Sequence, residues 1–448
     1  MQTAILCVFV VGYLAIVLEH QIHINKAASA LLAGGICWAL YAIGVSDLMS
    51  AEQIPAWFIE EAELQEVGDV SRHFLVESQL LSLTGEIAGI LFFLMGAMTI
   101  VELVDAHEGF ALITNRIKAR SKVTLLWIVC WLTFFLSSVL DNLTTTIVMV
   151  SLLRRMIHDR ETRLIYAGFV VIAANAGGAW TVIGDVTTTM LWIKHKIGTV
   201  DVMVDLFAAS IVCLLVPLMG VSFFMKGELQ VNATSDPHLD KGIQPWHQRL
   251  MLACGLVGLL FVPAFKAFTH LPPYIGMILS LGAIWCISEM ISHTMDERTR
   301  SSTGVLAALK RVDMSSILFF LGILLAVGSL GKMGTLRQLA EDLDGAVGDQ
   351  SIVAVLIGLI SAVVDNVPLV AAGIEMYSMP VNDRFWMLLA YCAGTGGSCL
   401  IIGSAAGVAA MGLERIDFLW YLRRITPWAL LGYFAGIVMF LVQEYLAQ

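Results

Sequence analysis

Two stretches of this chain put acids where acids are costly. Ser137-Ser138-Val139-Leu140-Asp141-Asn142-Leu143-Thr144-Thr145-Thr146 lies inside an apolar run from Val123 to Leu153. Ser361-Ala362-Val363-Val364-Asp365-Asn366-Val367-Pro368 lies inside another, from Ile352 to Ile374. The two Asp-Asn doublets are 365 − 141 = 224 residues apart. A carboxylate at the depth of a bilayer core costs roughly 2.5–3.5 kcal/mol even on insertion scales, so such acids mark ion or substrate paths. Oxygen-bearing residues surround them: Ser138, Asn142, Thr144, Thr145, Asn175, Thr181 and Asp185 earlier, Asn366, Thr395, Ser398 and Ser404 later. Oxygen is the donor that a small, hard cation takes. No Lys or Arg lies in either doublet's stretch, as recognition of an organic anion or phosphate would favour. The expected chemistry is competition between a cation and a proton for one carboxylate. Asp141 and Asp365 are the expected coupling pair and Asp185 a third titrating group. Na+ is expected at Asp141, Asn142, Thr144, Asp365 and Asn366, with the other hydroxyls and amides as neutral ligands.

The elements that would position these groups are membrane spans. Of 448 residues, 58% are hydrophobic and only 14% charged, where a soluble domain is nearer a quarter charged. Apolar runs of bilayer-crossing length recur throughout, so the chain reads as an all-α polytopic membrane protein. A net charge of −10 argues against nucleic acid as a partner. The first cation is Lys26, so the opening apolar stretch reads as a span rather than a cleavable signal. Eight cysteines without a C-x-x-C pairing read as buried small hydrophobes, with no metal or other cofactor implied.

Spans are expected over 3–18, 27–45, 87–104, 164–194 and 204–225, then 250–268, 274–291, 314–330, 385–413 and 426–446. Residues 46–86 form an acidic insert and 105–122 a basic interfacial helix. The run 123–153 has basic residues on both flanks, which the positive-inside rule puts on one side of the membrane. It is therefore expected to be a re-entrant hairpin with Asp141-Asn142 near its tip. The run 352–374 has acidic flanks and is expected to be a second hairpin, entering from the other side.

Wording repeats as well as order. Ile90-Leu91-Phe92-Phe93-Leu94 returns as Ile317-Leu318-Phe319-Phe320-Leu321, and Gly177-Gly178…Ile183-Gly184 as Gly396-Gly397…Ile402-Gly403. Each half thus has five spans, one of them broken, and one hairpin. Five is odd, so the two repeats must insert with opposite orientation, as in many secondary transporters whose site lies at the midplane. The expected division is residues 1–225, a cytoplasmic linker 226–249, and residues 250–448. The insert 46–86 and both termini fall on the outer side.

Plainer readings exist for single positions. Asn175, Gly177 and Gly178 also suit close helix packing, and Thr144–Thr146 can bond back to their own helix. Glu102, Lys266, Glu289 and Glu375 sit near span ends, where snorkelling is expected. Taken together, Asp141-Asn142-x-Thr-Thr-Thr, Gly177-Gly178-x-x-Thr-x-Ile-Gly184, Asp365-Asn366-Val-Pro368 and Gly396-Gly397-x-x-x-Ile-Ile-Gly403-Ser404 resemble the NhaD-type Na+/H+ antiporters. These belong to the ion transporter superfamily, with arsenite permeases and dicarboxylate transporters. The resemblance implies a non-enzymatic exchanger of cytoplasmic Na+ or Li+ for external H+ in a bacterial inner membrane. It also implies a homodimer with an elevator-like transport part. Asp stands where the dicarboxylate branch has Ser in its hairpin tip, and Gly407 where the arsenite branch has Asn. An anion or arsenite permease is the nearest rival. An intramembrane aspartyl protease is a remote one, since it needs its two acids as a dyad on ordinary spans.

Overall fold

The computed structural model describes residues 1–49, 54–55, 58, 67–114, 121–225, 227–228 and 243–447. Parts of the acidic insert, of the basic segment (115–120) and of the linker (229–242) lie outside the described residues. The first half runs α1 (Gln2–Val17), α2 (Lys26–Ile43), α3 (Leu81–Ala106), α4 (Lys122–Ser137) and α5 (Asn142–Met156). It continues with α6 (Arg160–Ala179), α7 (Val186–Ile193) and α8 (Thr199–Phe224). The second half runs α9 (Pro245–Thr269), α10 (Pro273–Ser292), α11 (Met314–Lys332), α12 (Thr335–Val347) and α13 (Gln350–Ile360). It ends with α14 (Asn366–Met376), α15 (Arg384–Gly396), α16 (Ala405–Glu414) and α17 (Thr426–Ala447). Short helices such as Glu297–Thr303 and Phe418–Arg424 join some of these. No strand occurs among the described residues, as a bilayer demands of any backbone that does not close into a barrel.

Among the described residues eight helices are long and apolar enough to cross a membrane, so the chain is a multi-pass membrane protein. The third span begins earlier than its apolar run. A helix from Val67 passes through a stretch of wider π-turns, Leu75–Leu80, directly into α3. Polar Glu77 and Gln79 did not end it, because helical backbone is favoured wherever water is scarce.

Residues Met1–Phe92, Asp313–Asp349 and Val370–Ser378 form one compact unit. Residues Phe93–Val312, Gln350–Leu369 and Met379–Gln448 form another. Each unit draws on both sequence halves. In the first, α2 packs on α11, where Gly34 abuts the Gly322 carbonyl and the Trp38 indole N–H donates to Leu325 O at 2.9 Å. In the second, α3 meets α10 at Gly96–Met277 and α9 at Val104–Gly255. Each half's third long helix therefore packs against the first two of the other half.

Burial separates lining from core within the second unit. Of α9's apolar stretch only 22% is buried, with Val257, Leu260 and Phe268 exposed, a surface suited to lipid. Of α6, 89% is buried although it carries Asn175 and two adjacent glycines. The least lipid-like span is the one surrounded by protein, and it is the span that holds polar chemistry.

Candidate functional site

Four helix starts in the second unit place polar caps inside the apolar runs. Asp141 caps α5: Thr144 N donates to Oδ1 at 2.7 Å and Thr144 Oγ1 to Oδ2 at 2.8 Å. Asp185 caps α7, receiving Thr187 N at 2.8 Å and Thr187 Oγ1 at 2.6 Å on Oδ1. Asp365 precedes α14 and receives Val367 N at 3.3 Å. Ser404 caps α16 and receives Gly407 N at 3.2 Å. Asp and Ser accept from the first free amides of a helix, which is why the apolar runs break where they do. A helix start carries roughly half a positive charge. Each acid is thus partly offset by its own helix, which leaves net negative charge for a cation.

Three of these elements are joined by side chains. Asn142 Nδ2 donates to Asp185 Oδ2 at 2.5 Å and to Asn175 Oδ1 at 3.0 Å. Asn175 Nδ2 donates to Ser404 Oγ at 3.0 Å, across 229 residues of sequence. Asn142, Asn175, Asp185 and Ser404 are all buried, while Asp141 and Asp365 are half-buried. Asp185 lies within electrostatic range of both Asp141 and Asp365. Among the described residues no three His, Cys, Asp or Glu groups close on one point as a finished metal cage would.

The breaks are stitched by backbone. Ser137 Oγ donates to Ala174 O at 2.6 Å, and Ser361 Oγ to Ala393 O at 2.9 Å. A Cβ on Gly177 would overlap the Phe134 carbonyl, and one on Gly396 the Gly358 carbonyl. One member of each pair shares the doublets' offset, since 361 − 137 and 358 − 134 are both 224, while the partners 393 − 174 and 396 − 177 are both 219 apart. Thr181 Oγ1 donates to Ser138 O at 2.6 Å, which fastens the tip before α5 to the break after α6.

The remaining expected ligands divide. Thr145 Oγ1 is buried with no hydrogen-bond partner among the described residues. Ser138, Thr395 and Ser398 donate their hydroxyls to carbonyls of their own segments, Phe135, Tyr391 and Thr395. Asn366 is buried beside Asp365. The network centres on Asp185 and Asn175, whereas the sequence reading gave first rank to Asp141 and Asp365.

Comparison with known proteins bears on this arrangement. The profile of a family described as "Citrate transporter" matches residues 13–379. Two Arabidopsis thaliana proteins, sodium/proton antiporters 1 and 2, are 46% and 43% identical over 98% and 97% of this chain. The matches take in 72% and 97% of their own lengths. The Na(+)/H(+) antiporter NhaD of Vibrio cholerae is 32% identical over 98% of this chain and 91% of its own. The chain belongs to the NhaD-type antiporter family.

In this NhaD-type chain two charged residues depart from their expected surroundings. Lys266 does not simply snorkel: Nζ donates to Trp192 O at 2.9 Å and sits 4.2 Å over the Trp192 ring. A cation there suits the carbonyl-rich end of α7, whose other end is Asp185. Glu102 on α3 lies within electrostatic range of Asp141 and Arg311. Sequence reasoning also passed over Glu414, a buried acid paired with Arg154 and Arg163. It stands just beyond the end of an apolar run, and nothing local pointed to partners more than 250 residues away.

Proposed function

We propose that this protein exchanges Na+ or Li+ for H+ across a membrane through competing occupancy of Asp185, Asp141 and Asp365. The observation that carries this is the Asp185 carboxylate, buried at a helix start, bonded to Asn142 and within reach of two further acids. A proton or a cation neutralises such a group, and the empty charged site crosses lipid poorly. Coupling follows from that competition. Asn142, Asn175, Thr144, Thr145 and Ser404 supply neutral oxygen, and the half-helix starts resemble the ion sites of transporters built from inverted repeats.

In this reading residues 1–225 and 250–448 are inverted repeats joined by a cytoplasmic linker, and α4–α5 and α13–α14 are re-entrant hairpins. The unit that carries the acids moves against the rest in an elevator-like cycle. The paired Ser–carbonyl and glycine–carbonyl contacts support the duplication. Relatives named as antiporters occur in bacteria and in a plant. Either a bacterial inner membrane or an organelle membrane with a proton gradient suits the chemistry.

A second reading, uptake of a carboxylate such as citrate, is favoured by the description of the matching family and by helix starts able to hold anions. Three acids at those starts oppose it. Proteoliposomes loaded with a pH dye separate the two. Internal alkalinisation on adding Na+ or Li+ is expected. Citrate counterflow without any Na+-driven pH change would overturn the exchange reading.

A further inference from the structure

The three helices joined at the site are also joined at their far ends. Glu414, the last residue of α16, is only 4% exposed. Arg154 Nε, near the end of α5, lies 3.2 Å from its Oε1, and Arg163 Nε, in the first turn of α6, lies 2.8 Å from its Oε2. Arg163 Nη1 also donates to Ile157 O at 2.9 Å, tying the α5–α6 turn into the cluster. An acid at a helix end and a base at a helix start each oppose the helix dipole. Glu414 and Arg163 both sit at the unfavourable end, so capping their own helices does not explain them. Pairing with each other does.

The spans between the two sets of ties nearly match. From Asn142 to Arg154 is 154 − 142 = 12 residues, from Arg163 to Asn175 is 175 − 163 = 12, and from Ser404 to Glu414 is 414 − 404 = 10. At about 1.5 Å per residue these are rods of roughly 15–18 Å. Each rod has a polar tie at the site and an ionic tie at the other end. A slip of one rod by a single turn, about 5.4 Å, would break the Asn142–Asn175–Ser404 chain.

We propose that Glu414 is a positioning residue for transport: with Arg154 and Arg163 it clamps α5, α6 and α16 in the register that lets Asn142, Asn175 and Ser404 meet. The role rests on the exchange reading above. Glu414 touches no transported ion and sets only the geometry of those that do. The test is Glu414→Gln in dye-loaded proteoliposomes, with Glu414→Asp as the variant that keeps the charge. Glu414→Gln is expected to raise the half-saturating Na+ concentration about tenfold while maximal rate changes less than about twofold, the loss of a charge-assisted bond showing at the site it aligns. Glu414→Asp is expected to recover most of that affinity. Unchanged half-saturation in Glu414→Gln overturns the proposal, as does equal loss in both variants. Should Glu414→Gln not insert, Arg154→Gln removes the exposed half of the pairing and is expected to raise half-saturation about threefold.

A distance measurement separates this proposal from the reading it rests on. Spin labels at Ile147→Cys on α5 and Gly412→Cys on α16, both exposed positions, are placed in a background lacking Cys7, Cys254 and Cys286. One narrow distance is expected with Glu414 present and a broadened distribution with Gln. If the unaltered protein moves no protons on Na+ addition, the exchange reading falls and the clamp stands or falls on these distances alone. An identical narrow distribution in both proteins overturns it.

Discussion

Asn175 is the residue whose bonds tell most about the site, because it accepts from Asn142 and donates to Ser404 while fully buried. Its replacement by Ala leaves a buried amide and a buried hydroxyl without that partner, at about 1–3 kcal/mol. Asn175→Ala is therefore expected to weaken Na+ half-saturation roughly five- to a hundredfold, read in the dye assay; a change under twofold would remove it from the site. Asp185→Asn keeps the shape and removes the charge, and is expected to abolish Na+-driven proton movement in protein that still inserts. Asp141→Asn and Asp365→Asn are expected to do the same, and normal exchange in both would withdraw them as coupling groups. The Asp-Asn doublets and Asp185 were legible because acids are rare in apolar runs. The bonds of Asn175 were not, since an Asn beside two glycines reads equally well as packing. Lys266 looked like a snorkelling lysine until Trp192 appeared beneath it.

At the scale of elements, the breaks owe their position to caps and to carbonyls that approach glycine. Gly177 lies against the Phe134 carbonyl and Gly396 against the Gly358 carbonyl, so side chains at these sites must displace backbone. Gly177→Val and Gly396→Val are each expected to destabilise by about 1–3 kcal/mol, seen as a lower melting temperature in detergent. Equal losses at the two positions would agree with equivalent contacts, and no loss at either would contradict the packing. The sequence located both breaks within a few residues, because Asp and Ser interrupt hydrophobic runs in the way helix caps do. It misjudged the start of α3, where polar Glu77 and Gln79 continue a helix through wider turns. Periodicity carries no sign of such a turn.

For the whole molecule, the proposed competition for shared acids fixes an expected direction of pH dependence. Protonation removes the ligand, so the half-saturating Na+ concentration should rise as pH falls, by about tenfold per unit below the acids' titration, and level off above it. Titrating Na+ at several external pH values checks this, and half-saturation that ignores pH would show that proton and cation bind different groups. The multi-pass character and the helical class were plain from composition, whereas the exchange of third helices between halves was not. A hydrophobic helix states that it will be covered, but not by which neighbour. Packing of α2 on α11 and of α3 on α10 is decided by small residues such as Gly34 and Gly96, which many spans also contain.

The duplication proposed above is uneven at its centre. Where the first break has Asp185 the second has Ser404, and where α6 has Asn175 the matching place on α15, 175 + 219 = 394, is Gly394. A doubled framework thus surrounds an odd number of charges. In the proposed site an ion would meet two acids, Asp141 and Asp185, from one copy and one, Asp365, from the other. Ser404→Asp would even the count, and the expected result is an ion held too tightly to turn over: slower flux at saturating Na+ with a lower half-saturation, measured in the same vesicles.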